Sequence, residues 1–90
     1  MLNAEEHVLS RKMIIDYTEH ANFRMRHRKI SRAEVEDAIR NSDFSFVTRF
    51  GRLAALKKYD DKFLKVIYKK SNNKITVITV YWTRRPQRLW

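Results

Sequence analysis

Residues 44–82 read FSFVTRFGRLAALKKYDDKFLKVIYKKSNNKITVITVYW. Four runs within them, Phe44 to Phe50, Leu53 to Tyr59, Phe63 to Lys70 and Ile75 to Trp82, are rich in β-branched and aromatic residues, which suit a pleated, half-buried surface. Gly51, the pair Asp60 and Asp61, and the trio Ser71, Asn72 and Asn73 separate these runs at hairpin-turn length. Strands joined so tightly pair antiparallel, because parallel neighbours need long crossovers. The expectation is a four-stranded antiparallel meander. In its third strand Leu64, Val66 and Tyr68 face one way and Lys65, Ile67 and Lys69 the other. One face is therefore expected to pack on helices and the other to be largely basic and wet. The last run is apolar on both sides, which suits an interior position.

Upstream the period lengthens from two to about 3.6. Residues 18–28, TEHANFRMRHR, hold no helix breaker, and Ala21 and Met25 fall on one stripe beside His20, Arg24 and Arg28. Ser31 then opens a second helix. Ser31 with Glu34 fits a capping box, and Ile30 with Val35 fits the hydrophobic staple around it. Val35, Ala38 and Ile39 recur at the spacing of a buried stripe, and Asn41, Ser42 and Asp43 end the helix. Residues 3–11 read as a polar arm or a helical turn, and Met13 to Asp16 is too short to assign. The expected class is α+β, with two N-terminal helices packed on the meander. One domain fills residues 1–90, with an arm over 1–12 and a basic tail over 83–90.

Ninety residues leave no room for a second core, but 43% are hydrophobic, with five Phe, four Tyr and two Trp, enough to build one without staples. The absence of cysteine excludes disulfides, thiolate zinc sites and thiol catalysis. No apolar run approaches the roughly 20 residues that cross a bilayer, and MLNAEEHVLSRK is acidic where a signal peptide is basic and then greasy. A cytoplasmic protein with no membrane partner is expected. One Gly and one Pro, with abundant Lys, Arg and Ile, would suit a heat-adapted source.

The formal charge is +10 and is unevenly spread: residues 1–43 balance eight Lys/Arg against eight Asp/Glu, while residues 44–90 hold twelve against Asp60 and Asp61. Such asymmetry points to a positive face and a polyanionic partner, RNA or DNA. A solvated surface, an anionic membrane surface or an acidic protein fits the same charge.

His20, Arg24 and Arg28 lie at i, i+4 and i+8, drifting about 40° per step along one side of the first helix. They repel one another unless an anion or a carboxylate sits among them. A phosphate would serve, and so would Glu34, Glu36 or Asp37 of the next helix.

The string YTEHANFRMRHRKISRAEVEDAI, residues 17–39, resembles the signature of a prokaryotic family, the domain of unknown function 4258. Its members read approximately S/T-x-H-A-x-x-R-M-x-x-R-x-I-S-x-x-E-V and end in a strand like IVITVY. The matching residues are Thr18, His20, Ala21, Arg24, Met25, Arg28, Ile30, Ser31, Glu34 and Val35, with KITVITVYW at residues 74–82 as the strand. The family in turn resembles, in architecture, the compact ribonucleases and toxins related to RelE and barnase.

That resemblance implies cleavage of RNA by its own 2′-OH, with no metal and no cofactor. It implies His20 as the proton-transfer group, because imidazole titrates near neutrality, and Arg24 and Arg28 as a bidentate phosphate clamp. Lys57, Lys58, Lys65 and Lys69 on the sheet and Arg84 and Arg85 after it would extend the nucleic-acid surface, and Tyr81 and Trp82 would stack on bases. A toxin would also have an acidic antitoxin partner. Blander readings stand beside each role: a structural histidine, ion-paired arginines, a solvated lysine face, and Tyr81 and Trp82 as core. His7 and His27 show no supporting constellation, and no metal-ligand spacing, Gly-rich phosphate loop or nucleophile motif occurs. A non-catalytic RNA or DNA-binding module and a protein-interaction domain with an acidic partner are the competing functions.

Overall fold

Met13 to Asp16, too short to assign from sequence, falls largely within a strand, Ile14–Tyr17, that sets the topology of the sheet. The computed structural model describes residues 13–84, so the arm over 1–12 and the tail residues Arg85, Arg88 and Trp90 lie outside the described residues. Its elements run β1 (Ile14–Tyr17), α1 (Glu19–Arg28), α2 (Arg32–Arg40), β2 (Phe44–Val47), β3 (Leu53–Tyr59), β4 (Lys62–Ser71) and β5 (Lys74–Thr83). The class is α+β with two helices, but the four-stranded antiparallel meander expected from sequence is overturned. The sheet is five-stranded and mixed, in the order β1-β5-β4-β3-β2, with β1 parallel to β5 and the other pairs antiparallel.

Strand β1 covers the edge that a meander would leave open on β5. Ile14 N–H donates to the Asn73 carbonyl at 2.8 Å and Thr18 N–H to the Val77 carbonyl at 3.0 Å. Strand β5, with apolar residues on both its faces, is thereby interior, flanked by β1 and β4. Past Val77 the β4–β5 register slips, Ile67 facing Thr79 and Tyr68 facing Val77, so Ile78 is the extra residue of a bulge. Its carbonyl accepts the Thr18 hydroxyl at 2.8 Å.

Helix α1 is fixed by its two ends. Thr18 is the N-cap, its hydroxyl oxygen accepting the Ala21 N–H at 3.0 Å while donating to Ile78. At the other end Lys29 turns left-handed at φ 56°, and Ile30 N–H reaches back to the Met25 carbonyl at 2.9 Å, the six-to-one bond of a Schellman stop. Helix α2 opens on the expected capping box, with Glu34 N–H donating to Ser31 Oγ at 3.0 Å and Ser31 N–H to Glu34 Oε1 at 2.8 Å. Ile30 and Val35, the staple pair, are both buried.

Ala21 and Met25 of α1 and Val35, Ala38 and Ile39 of α2 pack on Ala55, Leu64, Val66, Tyr68, Ile75, Val77 and Val80 of one sheet face. Helix α1 lies over β5 and α2 over β3 and β4. The opposite face is not the wet basic surface expected. Ala54 and Leu56 on it are fully buried and Lys65 is only 4% exposed. Register places Phe44, Leu56, Lys65 and Tyr81 in one row across this face. Phe44 also stacks on Phe63 with centroids 5.7 Å apart, so rings occupy ground that sequence alternation gave to water. No described helix is long and apolar enough to cross a membrane.

Candidate functional site

The row on α1 survives folding as a row. A helix that buries only Ala21 and Met25 turns the rest of its surface outward, leaving His20 and Arg28 exposed and Arg24 half-buried. Arg24 and Arg28 border a cavity of about 330 Å³ with Tyr81 and Trp82 of β5. The same two arginines line a shallower depression of about 300 Å³ with His20, Phe23 and His27. Five of the residues singled out in the sequence, His20, Arg24, Arg28, Tyr81 and Trp82, thus share one continuous edge. The α1 helix brings them there because β1 ends at Tyr17 and leaves the remainder of the β5 edge to α1.

The carboxylates offered as partners for the arginines are engaged elsewhere. Glu34 closes the capping box, Glu36 accepts the Tyr17 hydroxyl at 3.3 Å, and Asp37 accepts from Tyr59 at 3.3 Å and from Asn41 at 2.7 Å. Burial, with the Glu36 charge and hydrogen bond added, pushes the Tyr17 phenol up to about 12. Burial and Asp37 also raise Tyr59 above the usual range. Ion pairs among the described residues join Lys74 to Asp16 at 3.0 Å and Arg84 to Asp61 at 3.3 Å, and none takes in Arg24 or Arg28.

On the sheet side of the cavity, burial raises the Tyr81 phenol and the nearby Arg24 charge draws it partly back. Its hydroxyl stays protonated at neutral pH and can donate. The Trp82 ring stands edge-on to Tyr59, centroids 5.9 Å apart, with Lys62 Nζ 4.4 Å from its centroid. Trp82 is therefore partly a core residue and partly a wall of the cavity.

The basic residues of the sheet do not join this edge as a group. Lys57 is half-buried, while the side chains of Lys58 and Lys69 are exposed on successive strands. Lys65 is buried with its ammonium 5.6 Å from the Phe46 ring centre and 5.5 Å from that of Tyr81, and desolvation lowers its pKa. Arg84 spends its charge on Asp61 at an exposed position, and Arg85 lies outside the described residues. His27 shows no supporting constellation in the sequence, but the fold gives it neighbours. It stacks on Phe23, centroids 4.1 Å apart, and lines the depression with His20. The signal was the spacing of seven, which returns a helix residue to within about 20° of the same line. Among the described residues no group of three or more His, Asp or Glu could hold a metal ion.

Comparison with curated proteins finds no match, and neither does comparison with solved structures. The family model described as Domain of unknown function (DUF4258) matches residues 17–82, which takes in the whole edge from His20 to Trp82. With that span of its 90 residues matched, the chain belongs to this family.

Proposed function

We propose that this protein acts on nucleic acid, taking an RNA phosphodiester at the α1–β5 edge and cleaving it without a metal. The observation that carries the reading is a pair of guanidinium groups, Arg24 and Arg28, lining a cavity with two aromatic side chains and paired with no carboxylate among the described residues. Two cations one turn apart repel, and a bound phosphate offsets that cost with bidentate hydrogen bonds. A rise of 1.5 Å per residue spaces His20, Arg24 and Arg28 by about 6 Å, an interval that an extended sugar–phosphate strand can follow.

The chemistry uses the substrate's own nucleophile. The 2′-oxygen forms a bond to phosphorus as the bond to the 5′-oxygen breaks, and His20 takes the 2′-OH proton. Arg24 and Arg28 hold the non-bridging oxygens on which charge builds. The leaving oxygen needs a proton in return, and His27 on the same depression is the second imidazole within that surface. A base next to the phosphate meets Tyr81 or the open part of Trp82.

The test is incubation of purified protein with mixed RNA in EDTA, beside the His20→Ala and Arg24→Ala variants. Cleavage lost in both variants is expected. Intact RNA that still binds, with an affinity that falls steeply as salt rises and weakens in Arg24→Ala, reduces the protein to a non-catalytic RNA-binding module. If RNA neither binds nor breaks, the reading is wrong, and an acidic protein such as an antitoxin becomes the partner to seek.

A further inference from the structure

The single glycine of the chain shapes a feature at the other edge of the sheet. Thr48 N–H donates to the Arg52 carbonyl at 2.6 Å, Gly51 N–H donates to the Thr48 carbonyl at 3.2 Å, and Gly51 sits at φ +72°. These mark a three-residue hairpin loop, a tight turn closed by a left-handed residue, where any side chain on Gly51 would be strained. The turn fixes Arg49 and Phe50 at its corners. Phe50 is 79% exposed, the most exposed large hydrophobic residue described.

Beneath the turn is a cavity of about 380 Å³, lined by Phe46, Phe50, Ile67, Arg49, Arg52 and Lys65. Three cations and two phenyl rings meet there without a carboxylate in the lining. Neither Arg49 nor Arg52 has an ion-pair partner among the described residues. The cavity also adjoins the first site, because the Lys65 ammonium lies 5.6 Å from the Phe46 ring centre and 5.5 Å from that of Tyr81. Tyr81 is a wall of the Arg24–Arg28 cavity.

We propose that the β2–β3 hairpin cavity is a second subsite for single-stranded nucleic acid, taking an unpaired base against Phe50 and Phe46 and the adjoining phosphate between Arg49 and Arg52. Rings interleaved with guanidinium groups fit bases and phosphates together, since every base has a π-face and every linkage a charge. An acidic peptide would satisfy the arginines and leave the exposed ring of Phe50 without a flat partner. The subsite rests on the nucleic-acid reading of the protein but not on cleavage.

The experiment follows backbone amide shifts of the labelled protein during titration with 2′-deoxyuridine oligonucleotides of four and of eight nucleotides, which lack the attacking hydroxyl. Shifts at Phe46, Arg49 to Arg52 and Ile67 are expected with both, joined by Tyr81 and Trp82 with the longer strand. Phe50→Ala and Phe50→Leu should each weaken the longer strand about tenfold, because stacking and not apolarity is lost. Arg49→Ala with Arg52→Ala should flatten the dependence of log affinity on log salt by about 0.7, one phosphate contact's worth for a single strand. Circular dichroism checks that the exposed substitutions leave the fold intact. A silent hairpin with a responsive Tyr81 and Trp82 overturns the subsite and spares the proposed function. Silence at both sites overturns both. Equal hairpin shifts from a poly-glutamate peptide of matched charge overturn the subsite in favour of a protein partner.

Discussion

Helix α2 sends Val35, Ala38 and Ile39 into the core and commits Glu34, Glu36 and Asp37 to hydrogen bonds, whereas α1 buries Ala21 and Met25 and leaves His20, Arg24 and Arg28 along a surface depression. The second helix is held by the face it buries. The first is held by its ends, through the Thr18 cap and the Schellman stop at Lys29. A helix that needs little of its side for packing can spend that side on a ligand, and the cost moves into its termini.

The difference can be broken by substitution, most forcefully in the core. Ile39→Ala in α2 should cost about 3 kcal/mol of unfolding free energy, while Phe23→Ala on the outer side of α1 should stay within about 0.5 kcal/mol. Equal losses in chemical denaturation would erase the distinction. Thr18→Ala removes the cap and the bond to Ile78 together and should cost about 1–2 kcal/mol, with Thr18→Ser restoring most of it. Failure of serine to rescue would mean that the methyl group, not the hydroxyl, anchors α1.

The contact between β1 and α2 is open to a pH test. The Tyr17 phenol titrates near 12 in the fold against 10.0 when free, so the folded state holds its proton more tightly. Its contribution is fully present below pH 10 and is lost as pH rises toward 12. Thermal unfolding between pH 9 and 12 should therefore fall more gently in Tyr17→Phe than in the parent, and that variant should lose about 0.5–1 kcal/mol at neutral pH. Parallel curves would show that the Glu36 bond plays no part.

Smaller effects sharpen the contrast at α1. Lys29 occupies a left-handed position that favours glycine, and Lys29→Gly should gain about 0.5–1 kcal/mol, read as a rise in melting temperature. Arg24→Ala should leave stability within about 0.5 kcal/mol while RNA affinity falls. A large loss of stability from that change would make Arg24 a structural residue.

Much of this was legible in the sequence for local reasons. The capping box, the staple and the buried stripe of α2 all fall within residues 30–39, and β3 matches its run to the residue. Strand β1 was not legible, because four residues with two half-buried side chains take their meaning from β5, some sixty positions away. The helical row is readable from spacing alone, but its meeting with Tyr81 and Trp82 depends on where α1 docks along β5, which spacing does not give. The lysines misled because alternation says which face a residue takes but not what else occupies that face. Lys65 lies buried beside rings of β2 and β5. The first run, Phe44 to Phe50, reads too long: β2 ends at Val47, and Arg49 and Phe50 lie with Arg52 in a turn, where no period exists to read.

The pairing of the first described strand with the last carries a consequence for how the molecule comes into being. During synthesis the Thr18 hydroxyl must wait sixty residues for the carbonyl it will bond. Helix α2 and the hairpins β2 to β4 can settle early, through neighbours in the chain, but β1 and α1 dock only after that long loop closes, at an entropic cost that nearby contacts do not repay. The α1–β5 edge is thus expected to assemble last, and a chain released before β5 emerges carries the positive charges of α1 without the Tyr81 and Trp82 wall of the cavity they line.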